Sequence, residues 1–276
     1  MSGARAAPLF ALLGAPVQHS LSPALYRAAF AAAGVAACYV AIRTWNELVG
    51  SLMRDLASRG GGGNVTLPHK ARAARNLDAS SRAVQATGAC NTFWWDAAHG
   101  LCGDNTDVDG FRAAARHLVG GELADARVLV LGAGGAARAV CFACLSDGIG
   151  RVDLLNRTRS RAEVLKQDMG SPRQLRILPD MSGATGAYDL VVNATSLGLD
   201  DGDPAPLDPR VVRAGALIDL VYRRGGETPL VRAVREAGWR AEDGRRMLVE
   251  QAAAAFERWF GRSAPREAMR RAVELA

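Results

Sequence analysis

The chain has 276 residues, of which 49% are hydrophobic and 22% charged, enough to bury a full core and build two modest domains, which excludes a disordered segment. Lysine and arginine outnumber aspartate and glutamate by 34 to 28, a formal excess of +6, and because the arginines are scattered this suits small anionic molecules better than nucleic acid. No apolar run approaches the roughly 20 residues that span a bilayer, and five cysteines make an odd set in a chain too large to need disulfides, so a reduced, cytoplasmic compartment is expected.

Apolar runs alternate with helical patterns from end to end, as in a βαβ architecture. Arg5–Val17 loosely imitates an export signal, but Pro8 and Pro16 interrupt it, and its apolar run Leu9–Leu13 suits a short buried strand. Pro23–Ala33 predicts a helix, with Ser22 as cap, Pro23 in the first position and Gly34 as its end. Further strands are predicted over Ala37–Ile42, Gly63–Thr66, Arg127–Leu131, Arg151–Leu155, Asp189–Asn193 and Leu217–Asp219. The last long helix, Met247–Phe260, sets Met247, Gln251 and Ala255 on the edge of an apolar stripe with Leu248, Ala252, Phe256 and Trp259. Gln251 there reads equally as a satisfied core amide or as a ligand contact.

Several short polar clusters interrupt this pattern. Only two of the 34 basic residues are lysines, Lys70 and Lys166. An amine can be tuned to release a proton near neutral pH and a guanidinium cannot, which makes Lys70 a candidate acid–base group. Ser20 and Ser22 stand before the first helix; Asn64 and Thr66, two apart, share one strand face and read either as a solvated edge or as groups aimed at a ligand. Asn105, Asp107, Asp109 and Gly110 begin like a calcium loop, but Arg116 stands where a bidentate Glu is required, so no metal is expected. Cys141 and Cys144 form a CxxC with no second pair and no nearby His, the pattern of buried thiols.

Arg127–Ala139 runs an apolar strand directly into Gly132-x-Gly134-x-x-Ala137 and a helix start, the dinucleotide fingerprint in its required context. Gly132 permits the tight turn, Gly134 leaves room for a pyrophosphate, and Ala137 allows close packing, while the helix N-terminus supplies donors. At the end of the next strand an NAD enzyme would carry an acid; here stand Asn156, Arg157, Thr158 and Arg161, which suit a 2′-phosphate, while Asp153 falls inside the strand. NADP(H) is therefore the expected cofactor.

Taken together, HSxSP from His19, NVTxPxK from Asn64, Gly88-Ala89-Cys90-Asn91-Thr92, Asn105-Thr106-Asp107, GAGGAARA, NRT, Asn193-Ala194-Thr195-Ser196-x-Gly198 and Met247-Leu248-x-x-Gln251 resemble the shikimate dehydrogenase family over almost the whole chain. The resemblance implies a two-domain α/β fold. Residues 1–108 would form an α/β substrate domain completed by helices over 245–276, residues 109–244 a Rossmann-type NADP domain, and the active site would lie in the cleft between them. It assigns Lys70 and Asp107 to a catalytic dyad; Ser20, Ser22, Asn64, Thr66, Asn91, Gln251 and Tyr222 to the substrate; and Gly132, Ala133, Gly134, Gly135, Ala136, Asn156, Arg157, Thr158, Arg161, Thr195, Ser196 and Val221 to the cofactor. The implied activity is reduction of 3-dehydroshikimate by NADPH, with a quinate or amino-shikimate paralogue, or from another class a non-catalytic NADP-binding sensor, as the alternatives, in a monomer or homodimer without nucleic-acid or membrane partners. Two departures touch the expected nicotinamide contacts: Tyr222–Leu230 lacks the family's proline and is one residue longer, and Arg246 replaces a glycine.

Overall fold

The computed structural model describes residues 7–200, 202–223 and 226–274; Arg5 of the signal-like stretch and Arg224 and Gly225 of the Tyr222–Leu230 segment lie outside them. The first elements are β1 (Leu9–Gly14), α1 (Ser22–Ala32), β2 (Cys38–Arg43), α2 (Val49–Ser58), β3 (Gly62–Val65), α3 (Lys70–Ala74), β4 (Ala79–Ser80), α4 (Arg82–Thr87), β5 (Thr92–Asp96) and β6 (Gly100–Asp104). Then come α5 (Asp107–Val119), β7 (Arg127–Leu131), α6 (Gly135–Ser146), β8 (Arg151–Leu155), α7 (Arg159–Asp168), β9 (Leu175–Ile177), β10 (Ala187–Tyr188) and β11 (Leu190–Asn193). The last are β12 (Arg213–Ala214), β13 (Ala216–Asp219), α8 (Pro229–Glu236), β14 (Arg240–Glu242), α9 (Arg245–Phe260) and α10 (Arg266–Glu274). They form two compact units, one made of the described residues up to Thr106 and from Gln251 onward, the other of Asp107–Glu250.

The first unit is built on a sheet of order β2-β1-β3-β5-β6-β4. β1 is parallel to β2 and β3, whereas β5 runs antiparallel to both β3 and β6. This mixture of directions brings the C-terminal ends of β1, β3 and β6 and the start of β5 to one edge of the sheet. β1 is buried along almost its whole length, as expected of an apolar run between parallel neighbours. α1 buries Leu25, Tyr26, Ala29 and Phe30, one face at helical spacing, and Gly34 follows it at φ +63°, the left-handed conformation that a Cβ disfavours. Phe10, Tyr26, Phe30, Tyr39, Phe256, Trp259 and Phe260 pack ring to ring with centroids 4.3–6.4 Å apart, which seats the later part of α9 against α1 and the sheet.

The second unit carries a six-stranded sheet of order β14-β13-β11-β7-β8-β9, with every pairing parallel. Read from β7 outward, this is the doubly wound order, which reverses direction between β7 and β11; ligands in such sheets bind beyond the strand C-termini at that switch point. Valines and leucines of β7, β8, β11 and β13 fill the interior from both faces. The strands predicted over Arg127–Leu131 and Arg151–Leu155 form with those bounds, and the other predicted strands shift by a residue at one or both ends, Thr66 lying just past β3 rather than in it.

Candidate functional site

In the first unit, the segments that leave β1 and β3 run side by side: Ala15 N donates to Leu67 O (3.0 Å) and Thr66 N to Leu13 O (2.9 Å). A Cβ on Gly14 would lie 2.3 Å from Thr66 Cγ2, so only glycine allows this approach. Ser20 and Ser22 stand in the same β1 exit. The expected cap is reversed here: Ser22 starts α1 without capping it, and Ser20 Oγ accepts from Ser22 N (3.2 Å) while donating to Ser22 Oγ (3.2 Å). Ser20 reaches the first free N–H of the helix because the chain enters from that side.

Asn91, buried just before β5, ties the sheet edge together. Its Oδ1 accepts from Thr106 N (2.8 Å) and Thr106 Oγ1 (3.1 Å), and its Nδ2 donates to Gln251 Oε1 (3.3 Å). Its backbone carbonyl accepts from Val65 N (2.8 Å) and Asn64 Nδ2 (3.2 Å). Gln251 therefore does face inward, as the stripe on its helix predicts.

Asn64 is buried and committed within the protein. Tyr39 donates its hydroxyl to Asn64 Oδ1 (2.8 Å), and Asn64 Nδ2 also donates to Thr92 Oγ1 (3.0 Å). Tyr39 stacks on Tyr26, whose hydroxyl donates to Ala252 O (3.3 Å). Burial pushes both phenols well above their ordinary range, so they stay neutral donors.

Lys70 opens α3. The preceding His69 is buried, its Nε2 lies 3.1 Å from Thr44 O, and the Lys70 carbonyl accepts from Cys90 N (2.9 Å), which fixes the lysine backbone from two directions. Asp107 opens α5 with Asp109 in the same first turn, where a helix N-terminus favours carboxylates. Sequence reasoning passed over Asp104. This buried carboxylate takes the Ser81 hydroxyl, Asn105 N (2.7 Å) and Arg258 Nε (2.9 Å), locking the end of β6 to α9.

In the second unit, Gly132 adopts φ +107° and donates its N–H to Leu155 O (2.8 Å); a Cβ there would lie 2.7 Å from Ala194 O. Gly134, the N-cap of α6, has φ −87°, and a Cβ on it would meet nothing within 4 Å. Ala137, in the first turn of α6, is buried. The turn is thus closed by backbone on one side and open above the first N–H groups of α6 on the other, a shape that fits a pyrophosphate.

At the end of β8, Asn156 Nδ2 donates to Thr158 O (2.7 Å), and the side chains of Arg157 and Arg161 are exposed with no hydrogen bond or ion pair to another described residue. Asp153 lies inside the strand, as predicted. It is wholly buried and bonded by Arg151 Nε (2.9 Å), Arg176 Nε (2.8 Å) and the Tyr188 hydroxyl (2.7 Å). Burial would raise this carboxyl, but the Arg176, Tyr188 and Arg151 hydrogen bonds outweigh it and hold the pKa below the usual range.

Beyond β11 and β13 lies a network that sequence reasoning did not anticipate. Asp219 is buried with no cation bonded to it among the described residues: its carboxylate accepts from Asn193 Nδ2 (2.8 Å), Val221 N (3.1 Å) and Thr228 Oγ1 (2.6 Å), and burial raises its pKa against those bonds. Asn193 Oδ1 in turn accepts from Thr195 N (3.1 Å) and Thr195 Oγ1 (2.7 Å). Beside these segments Ser196 is exposed, Tyr222 is half-buried and Val221 is buried. Cys141 and Cys144 lie buried in α6, where desolvation lifts the Cys141 thiol to about 12, so they are core thiols.

Three family models match the chain: the shikimate dehydrogenase substrate binding domain over residues 12–93, the shikimate / quinate 5-dehydrogenase model over 113–198 and the shikimate 5′-dehydrogenase C-terminal domain over 244–274. A Rubrobacter xylanophilus protein named shikimate dehydrogenase (NADP(+)) is 40% identical over 270 residues, covering 96% of this chain and 95% of its own. The chain belongs to the shikimate dehydrogenase family. Among solved structures of that family, the Thermus thermophilus shikimate 5-dehydrogenase in complex with NADP(H) and shikimate is 38% identical with a TM-score of 0.85, over 97% of this chain and 98% of that one. The Aquifex aeolicus enzyme is 32% identical with a TM-score of 0.87, over 97% of each chain. Among the described residues, no helix is long and apolar enough to cross a membrane.

Proposed function

We propose that this chain catalyses the reversible, NADPH-dependent reduction of 3-dehydroshikimate to shikimate in the cytoplasm, as a monomer or a homodimer. The observation that carries this reading is the gathering of Ser20, Ser22, Thr66, Asn91 and Gln251 at one edge of the first sheet. Hydroxyls and carboxamides in that number suit a ring bearing a carboxylate and several hydroxyls. Asn64 supports Asn91 from behind. We assign Tyr222, which follows β13 in the second unit, to the substrate as well.

The cofactor would be held by the Gly132–Ala136 turn and the α6 N-terminus at its pyrophosphate, by Asn156, Arg157, Thr158 and Arg161 at its 2′-phosphate, and by Thr195, Ser196 and Val221 towards the nicotinamide. When bound, NADPH supplies the hydride. The residues of the chain manage the proton. As the carbonyl carbon becomes an alcohol carbon, negative charge develops on its oxygen, and the Lys70 ammonium delivers a proton there; in the oxidative direction the amine removes it. We assign Asp107, which opens α5, to the catalytic dyad with Lys70.

A steady-state comparison of shikimate and quinate, each with NADP and NAD, tests the reading. Shikimate with NADP is expected to give the highest kcat/KM, and a clear preference for quinate with NAD would overturn it. Lys70→Ala should lower kcat by roughly 10² to 10⁴ with smaller effects on KM, the usual contribution of a positioned acid–base group. Near-normal turnover in that variant would remove Lys70 from the mechanism.

A further inference from the structure

We infer that Arg223 is a positioning residue for the nicotinamide half of the dinucleotide, clasping the segment that leaves β11 to the segment that leaves β13. The inference rests on the reading of the second unit as NADP-binding. β11 and β13 are parallel neighbours whose last residues, Asn193 and Asp219, stand in register. Thr195, Ser196 and Val221, the groups assigned to the nicotinamide side, follow directly from those two ends. Their orientation therefore depends on what holds the two exits together.

Two ties hold them. The inner one is the buried chain from Asp219 through Asn193 to Thr195, which fixes the near end of the β11 exit. The outer one is Arg223, whose Nε donates to Gly198 O (2.6 Å) and whose Nη2 donates to Asp200 O (2.7 Å). Gly198 sits at φ +102°, a conformation that a side chain would strain, and the Asp203 carboxylate accepts from Gly198 N (2.9 Å) and Asp200 N (3.1 Å). The N–H groups at Gly198 and Asp200 thus turn to Asp203 and their carbonyls to Arg223.

Two carbonyls two residues apart call for donors in a fixed fork, which a guanidinium provides and a single ammonium does not. The clasp is itself anchored, because the Arg223 carbonyl accepts from Arg245, which pairs with Asp243 at the start of α9. Without Arg223 the stretch from Thr195 to Gly198 keeps its near tie and loses its far one. The adenosine side lies at the end of β8, around Arg157 and Arg161, on a different strand from the two that the clasp joins.

That difference gives a test. NADPH and adenosine 2′,5′-bisphosphate, which carries only the adenosine half, are titrated into the wild type, Arg223→Ala and Arg223→Lys, alongside thermal unfolding and steady-state kinetics. Arg223→Ala is expected to bind NADPH roughly tenfold more weakly, the size of one lost hydrogen bond to a charged donor. It should bind the bisphosphate unchanged and keep its KM for shikimate, and Arg223→Lys should recover part of the loss. Wild-type affinity for NADPH in the Ala variant, or equal weakening of both ligands, overturns the inference. Failure of the wild type to bind either ligand would instead refute the NADP reading. Should Arg223→Ala not fold, the same split is read in Arg223→Lys, which keeps the charge but not the fork.

Discussion

The two glycines of the fingerprint predict opposite outcomes from the same substitution. In Gly132→Ala the new Cβ would sit 2.7 Å from Ala194 O and 2.9 Å from Ala194 C, at a residue with φ +107°. Positive φ costs a non-glycine residue about 1–3 kcal/mol, and the contact is with backbone, which cannot rotate aside. A loss near 3 kcal/mol is therefore expected, or a fall of about 6 to 12 °C in Tm at 2–4 °C per kcal/mol. In Gly134→Ala the φ of −87° suits alanine and the Cβ enters open space. The smaller unfolded-state entropy of alanine favours the variant by about 0.4–1 kcal/mol, and its poorer fitness as an N-cap takes back a similar amount. Its stability should thus match wild type to within about 0.5 kcal/mol, yet NADPH binding should fall by at least an order of magnitude, because the methyl occupies the space left for the pyrophosphate. Thermal unfolding without ligand and NADPH fluorescence titration measure both quantities. A Gly134→Ala protein that binds NADPH as wild type does would refute the placement of the phosphates over this turn.

Two further substitutions test the region around β8. Asp153→Asn removes a fully buried carboxylate from between Arg151 and Arg176, whose side chains are 37% and 42% exposed. Because those arginines can turn to water, the expected loss is about 2–3 kcal/mol, below the 3–5 kcal/mol of a fully buried pair. The native carboxyl sits below its unfolded value, so its contribution is complete above the unfolded pKa and fades as pH falls through the native one. The difference between variant and wild type in denaturant unfolding should therefore shrink from neutral pH to about pH 3, and a constant difference would contradict the assignment. Arg157→Ala should weaken NADPH by roughly tenfold and NADH much less, since only the former offers a 2′-phosphate; equal losses by titration would remove Arg157 from that role.

The strands that were legible in the sequence are those whose burial is continuous. Val128–Leu131 are buried throughout, and Val152 and Leu154 of β8 are fully buried on either side of Asp153, so in a parallel sheet filled from both faces their apolar residues mark these strands directly. The β5–β6 hairpin was not foreseen, because Gly100 and Gly103 weaken the strand pattern of β6. The need for Gly103 is long-range: a Cβ there would lie 2.6 Å from Leu77. β9 and β14 are three-residue edge strands, too short to show a period. The candidate site residues divide in the same way. Short motifs expose Ser20, Thr66, Lys70 and Asn91, whereas Asp104 and Asp219 are recognisable only through their partners. Asp104 meets Arg258 across 154 positions, and Asp219 meets Asn193 across 26. No local pattern encodes such a pairing, and an acid at a strand end reads the same whether buried or exposed.

The position of one carboxylate explains the charge at the adenosine end of the second unit. A Rossmann strand that ends in an acid presents an acceptor to the ribose 2′-hydroxyl, and the same acid would repel a 2′-phosphate. β8 does contain an acid, but Asp153 stands two residues before the strand's end, inside the sheet, where Arg151, Arg176 and Tyr188 occupy both of its oxygens. The negative charge is neutralised within the fold and does not reach the ligand. What remains at the strand end is Asn156, uncharged, followed by Arg157 and Arg161 with no acid bonded to either among the described residues. Preference for a phosphorylated ribose thus follows from where the acid is held as much as from which arginines are present.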